Sequence, residues 1–292
     1  MDAKLDSQWL DAQYNNRARV PGCDAILADW IARSAEVRLQ EDCTLDMPYG
    51  SAHTEKLDIF PTRHGNAPVL VFIHGGYWRA LNKSDHSFVA PPFTRAGACV
   101  VVPDYSLCPG LAEEPVTVPH IAMQMVEALE WTHRHIESFG GDPERITVVG
   151  HSAGGHLGAM LLCCLWKQHE DGLPERLVKN ALSVSGLFDL EAIRCAPYLQ
   201  DTLQLTPQHV RQASPALLPR PEGGVLHAVV GGDESEEFLR QNRLILDAWG
   251  KRIVPVCESL PGLNHFSIVD SLLSPGTRLN SLALELLGLQ AA

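Results

Sequence analysis

One stretch constrains this chain more than any other: Ile146-Thr147-Val148-Val149-Gly150-His151-Ser152-Ala153-Gly154-Gly155-His156-Leu157-Gly158. Four strand-forming residues lead into Gly-His-Ser-Ala-Gly, and an apolar, helix-compatible segment follows. That is the strand–turn–helix context of the nucleophile elbow G-x-S-x-G. A turn this tight presses its backbone against neighbouring chain, so Gly150 and Gly154 must lack side chains. The turn leaves the Ser152 hydroxyl exposed above a sheet, beside the unpaired N–H groups that open a helix. A glycine-rich turn with an ordinary serine is the alternative, and the rest of the chain has to decide between the two.

The flanking pattern supplies the sheet. Val69–Ile73 is a continuous apolar run, as expected of a strand buried on both faces of a parallel sheet. Further strands are expected at 56–60, 99–102, 146–149, 181–185, 225–230 and 253–258. Helices are expected at 85–96, 119–139, 157–166, 234–249 and 267–289. Strands alternating with helices imply an α/β fold with a mostly parallel, doubly wound sheet flanked by helices. Residues 1–45 read as an N-terminal helical arm, with Leu27, Trp30, Ile31 and Val37 on one side of a helix starting near Asp24. Between 188 and 222 the pattern breaks up around five prolines, which suggests a small cap or lid insertion in a single domain spanning 1–292.

With 292 residues, 45% of them hydrophobic, the chain has enough material for a sizeable core. Its formal charge of −12 argues against nucleic acid or an anionic membrane as a partner. The expected partner is a small-molecule substrate, with a second copy of the chain, as a homodimer, the one macromolecular partner left open. Met1–Gln13 carries no basic-then-apolar leader, and Leu157–Trp166 is too short to span a membrane. The eight cysteines form no Cys-x-x-Cys pair, and reduced thiols in a cytoplasmic protein are the expected state. No H-E-x-x-H, P-loop or G-x-G-x-x-G occurs, so no metal and no cofactor are expected.

A serine hydroxyl is a weak nucleophile and needs a base, an orienter for that base, and an oxyanion hole. Where an elbow sits on a parallel sheet, the acid follows the serine in the chain and the histidine comes last. Asp233, directly after the 225–230 strand and Gly231-Gly232, is the expected acid; its competitors are Glu234 and, from an earlier strand, Asp189. As an ordinary feature Asp233 would be a helix cap. His265 is the only histidine beyond the last strand and lies in the loop Pro261–Phe266. His74-Gly75-Gly76 follows the 69–73 strand, where glycine backbones can approach an oxyanion. The expected donors are Gly75 or Gly76 together with Ala153. His74 itself reads as structural. Tyr77, Trp78 and His151 are candidates for the substrate pocket, with core packing an equal reading for the aromatics. Asp85-His86 reads first as a helix cap. His133 and His135, two apart on a helix, do not share a face and make a poor metal pair.

With these residues assembled, the chain resembles the arylformamidase (kynurenine formamidase) branch of the α/β-hydrolase superfamily, and more broadly the hormone-sensitive-lipase type of esterase. The resemblance rests on His74–Trp78, Gly150–His156, Asp233 and His265, with Gln13-Tyr14-Asn15-Asn16-Arg17 and Tyr77–Asp85 adding to it. It implies an α/β-hydrolase fold and cleavage of an aryl formamide such as N-formylkynurenine to formate and the aromatic amine, through a formyl-enzyme. Two other readings stay open: a carboxylesterase for short-chain or aryl esters, and a catalytically inactive hydrolase fold used for binding.

Overall fold

A computed structural model describes residues 6–62 and 65–290; positions 1–5 of the arm lie outside the described residues. Eight strands form one sheet: β1 Thr44–Pro48, β2 Lys56–Phe60, β3 Ala67–Ile73, β4 Cys99–Pro103, β5 Gly141–His151, β6 Asn180–Val184, β7 Val225–Gly231 and β8 Val256–Leu260. Their spatial order is β1-β2-β4-β3-β5-β6-β7-β8. β2 runs antiparallel to β1 and β4, and every later pairing is parallel. This is the α/β-hydrolase architecture. The elbow strand β5 lies inside the sheet between β3 and β6, so its side chains are shielded on both faces.

Helices precede, connect and follow the strands: α1 Ser7–Tyr14, α2 Asn16–Arg19, α3 Cys23–Gln40, α4 Ala90–Arg95, α5 Val118–His135, α6 Ala153–Leu162, α7 Trp166–His169, α8 Glu191–Arg194, α9 Pro197–Leu203, α10 Pro207–Ala213, α11 Glu236–Trp249, α12 Ser267–Leu273 and α13 Arg278–Leu287. The period-2 geometry of β3 sorts them into two layers. Val69, Val71 and Ile73 face a core shared with α5, α6 and α11, including Met125, Leu157 and Phe238. Leu70 and Phe72 face the other core, built from α3, α4, α12 and α13 with Trp30, Phe93, Ile268 and Leu282. Both faces of the sheet are therefore covered, which is why β3 and β4 read as unbroken apolar runs.

Several boundaries differ from the sequence reading for identifiable reasons. The helix expected over 85–96 is two 3-10 turns, Lys83–Asp85 and Ser87–Val89, followed by α4, whose N-terminal Pro91-Pro92 fits only a first turn. The closing helix is broken between Leu273 and Arg278, where Ser274-Pro275-Gly276 cannot continue a helix. Strand β1 occupies the end of what read as a helical arm. On α3, Leu27 and Trp30 are buried as expected, but Ile31 points to solvent. The 188–222 segment folds into α8, α9, α10 and a 3-10 turn at Pro215–Leu217, with α9, α10 and the 3-10 turn each opening on a proline. No helix among the described residues is long and apolar enough to cross a membrane, and all eight cysteines are free thiols.

Candidate active site

Ser152 stands at the carboxyl end of β5 with φ 56° and ψ −117°, a positive-φ conformation that costs a non-glycine residue about 1–3 kcal/mol. Neighbouring chain holds it there: its N–H donates to Val184 O at 2.8 Å, and its carbonyl accepts from His156 N at 3.1 Å. The flanking glycines are obligatory in the way the motif demands. A Cβ on Gly154 would lie 1.9 Å from Ile73 O, and one on Gly150 would lie 2.1 Å from Gly154 O. Helix α6 therefore begins directly against the end of β3, with Ala153 as its first residue. The N–H of that residue has no partner within the helix.

His265 lies in the loop between β8 and α12. Asn264 shapes this loop, its Oδ1 accepting from Phe266 N and Ser267 N at 3.0 Å each. The imidazole is nearly buried, packed on Phe238 at 4.6 Å and on His151 at 4.7 Å between ring centroids. Its Nδ1 meets Glu234 Oε2 at 2.6 Å. An ionised carboxylate only accepts hydrogen bonds, so beside one Nδ1 carries the hydrogen and Nε2 is the nitrogen with a free lone pair. Glu234 is itself held: Oε1 accepts from Gly231 N at 2.8 Å and from the Ser185 hydroxyl, and its side chain is 1% exposed.

This geometry corrects the choice of acid. Asp233 is exposed, and its backbone N–H donates to Leu263 O, whereas the neighbouring Glu234 turns inward to the histidine. β7 runs through Gly231, and the two residues after it form the turn. The inward position therefore falls at 234, and the helix cap that Asp233 suggested is supplied by Ser235. Asp189 is engaged elsewhere, accepting from Glu191 N and lying 3.8 Å from Arg240.

The His74-Gly75-Gly76 loop leaves β3 beside the elbow. Gly75 approaches so closely that a Cβ there would lie 3.1 Å from Ser152 Cβ, and Gly76 takes φ 101° with a Cβ position 2.1 Å from Ala80 O. Tyr77 and Trp78 continue the curl at φ 50° and 54°. His74 is structural: Nε2 lies 3.2 Å from Asp104 Oδ1, and the ring is stacked between Tyr105 and His86. Burial pushes His86 down to about 3, so it is a neutral packing residue, and Asp85 closes a capping box with Asn82. His151 is likewise neutral, burial holding its pKa well below the ordinary value. Its Nε2–H donates to His265 O at 2.8 Å, which ties the His265 loop to the elbow. His133 and His135 bond different carbonyls, Pro143 O and Trp131 O, and no group of metal ligands occurs among the described residues.

Ser152 and His265 open into one cavity of about 280 Å³, walled by Trp30, Tyr77, Tyr198, Phe266 and His151 among others. Trp78 is not part of it; that side chain is fully buried and meets His156 edge-on at 4.9 Å. The cavity also has walls that sequence reasoning did not supply. Asn16, Arg17, Leu27 and Trp30 come from the N-terminal arm, Tyr198 from the 188–222 segment, and Arg79 from the loop after Trp78. The arm is fixed by polar contacts: Tyr77 OH donates to Tyr14 O at 2.8 Å, and Tyr14 OH donates to Glu237 Oε2 at 2.7 Å. The run Gln13–Arg17 was the available signal, since it formed part of the family resemblance without a role in the catalytic set.

The model of the carboxylesterase family matches residues 8–196. A kynurenine formamidase of Danio rerio is 30% identical over 84% of this chain and 82% of its own. One from Salmo salar is 28% identical over 98% and 96%, respectively. Among solved structures, a candidate thioesterase from Silicibacter sp. superposes with a TM-score of 0.79 at 28% identity, covering 92% of this chain and 97% of its own.

Proposed function

The chain belongs to the carboxylesterase family, in its arylformamidase-like branch of the α/β-hydrolases, and on that premise we propose that it hydrolyses an aryl formamide such as N-formylkynurenine. The observation that carries the mechanism is the Glu234–His265 pair, whose imidazole lines the same aromatic-walled cavity as Ser152 while the carboxylate sits behind it. A cavity of about 280 Å³ is near the lower end of small-ligand sites, which begin at roughly 300 Å³, and suits a single aromatic ring with a short side chain.

In this reading His265 Nε2 takes the Ser152 proton as Oγ attacks the formyl carbon, and Glu234 stabilises the imidazolium through Nδ1–H. The oxyanion is received by the N–H of Ala153 and by those of Gly75 and Gly76, each such donor being worth roughly 3 kcal/mol. His265 then gives its proton to the anilide nitrogen, and the aromatic amine departs. Water, deprotonated by His265, attacks the formyl ester, and formate leaves as Ser152 regains its proton. The same machinery cleaves a short-chain or aryl ester, which the family's name favours as the second reading.

The deciding assay measures turnover of N-formylkynurenine beside p-nitrophenyl acetate. Cleavage of the formamide to formate and the amine is expected. Brisk ester cleavage with undetectable formamide cleavage would sink the formamidase reading and leave the esterase.

A further inference from the structure

The cavity's charge is opposite to that of the chain. Acidic side chains outnumber basic ones 35 to 23 overall, yet the cavity is lined by Arg17 and Arg79 and by no Asp or Glu. Arg17 lies 3.7 Å from Asp24, a pair whose side chains are 55% and 85% exposed and therefore strongly screened. Arg79 is different. It is half-buried, its Cζ lies 4.5 Å over the Tyr198 ring, and Nη1 donates to Tyr198 O at 3.0 Å and Thr202 Oγ1 at 3.3 Å. No carboxylate pairs with it among the described residues.

Those two hydrogen bonds both use Nη1. The edge formed by Nε–H and Nη2–H therefore keeps its parallel donors, the fork that matches the two oxygens of a carboxylate. For a guanidinium held half-buried in a partly apolar cavity, the bonds from Nη1 and the Tyr198 ring replace part of the lost hydration, and no protein group does so for the Nε–Nη2 edge. The contacts to the 188–222 segment hold it rigid, so little side-chain entropy remains to be lost when an anion arrives.

We infer that Arg79 is the specificity-determining anchor for a carboxylate on the substrate, with Arg17 adding positive potential on the solvent side. The choice of which half of the substrate bears the carboxylate rests on the formamidase reading. A formyl group has no room for one, so it is carried by the aromatic amine that leaves. The substrate class is thus an N-formyl aniline whose ring bears a side chain with a carboxylate, and a formanilide without that carboxylate lacks the recognised group.

The test compares N-formylkynurenine with its side-chain carboxamide, read as the ratio of their kcat/KM values. General losses of activity cancel in that ratio. The wild type is expected to favour the acid about 10- to 100-fold, chiefly through KM. Arg79→Gln should bring the ratio to about 1. Arg79→Lys, which keeps the charge without the fork, should retain part of the preference, and Arg17→Gln should lower it a few-fold. A wild type with no preference overturns the inference. So does an Arg79→Gln variant that loses acid and amide equally, because Arg79 would then act only by holding Tyr198. If no formamide is cleaved, the same ratio is taken on an aryl acetate bearing a propanoate side chain and on its carboxamide. A preference there that Arg79→Gln abolishes upholds the anchor while the formamidase reading falls, and no preference there overturns the anchor.

Discussion

Exchanging Glu234 for Gln alters one atom of the carboxyl group that orients His265 and leaves its size unchanged. The outcome follows from which atoms the carboxyl group already serves. Oε1 accepts from the Gly231 N–H and the Ser185 hydroxyl, so the amide oxygen of a glutamine is best placed there. Its NH2 then faces His265 Nδ1, which must accept, and the imidazole hydrogen moves to Nε2. In that tautomer the ring presents a hydrogen to Ser152 and cannot remove one. Turning the amide round restores the useful tautomer but sets NH2 against the Gly231 N–H, leaving a buried donor unsatisfied at a cost of about 1–3 kcal/mol. The charge that stabilises the imidazolium is lost in either orientation. An equivalent carboxylate-to-amide exchange in a Ser-His-Asp protease lowers kcat about 10⁴-fold. A loss of about 10³- to 10⁴-fold is expected here, or roughly 4–5.5 kcal/mol of transition-state stabilisation. Asp233→Asn, at an exposed side chain, should stay within about threefold of wild type. Steady-state kinetics on p-nitrophenyl acetate measure both, with thermal unfolding confirming that each variant is folded. A folded Glu234→Gln with near-normal turnover beside a crippled Asp233→Asn would refute the assignment.

Ser152→Ala should abolish both turnover and labelling by a fluorophosphonate probe, and a wild type that resists labelling would point to a binding module instead. Gly154→Ala places a Cβ 1.9 Å from Ile73 O and should lower stability by roughly 1–3 kcal/mol or more. Gly65→Ala, with nothing within 4 Å, is the control, and equal urea midpoints for the two would be the contrary result. His86 and His156 are fully buried and neutral, burial holding them at about 3 and about 4 against an ordinary 6.5. Below pH 6.5 the unfolded chain binds a proton at each site while the native chain does not. Stability is therefore complete above pH 6.5, falls as the pH drops, and levels off below the native values. At pH 5 each site costs roughly 2 kcal/mol, and a urea midpoint unchanged between pH 7.5 and pH 5 would contradict this.

What could be read from the sequence was local. The apolar run of β3, the Gly-His-Ser-Ala-Gly turn and the loop before α12 each announce themselves within a few residues, and chain order then placed the serine, the glycine loop and the histidine. The acid fell one residue away from the expected position for a physical reason. Side chains alternate predictably along a strand, but in the turn after Gly231 the direction depends on backbone angles that residue types do not encode. Glutamate's extra methylene lets position 234 reach His265. The cavity walls were hidden for a different reason. Arg79 is held by Tyr198 and Thr202 from a segment more than a hundred positions later, and Tyr14 reaches Glu237 from the opposite end of the chain. Such pairings leave no periodic trace in either partner, because each is one polar residue whose role depends on where another element docks. The split follows from how an elbow fold divides its labour. On the proposed mechanism the reacting atoms sit at strand ends, where local geometry must be strict and so leaves a motif. The atoms that choose the substrate sit on whatever packs over those ends, and an arm or an insertion can supply them without any fixed spacing.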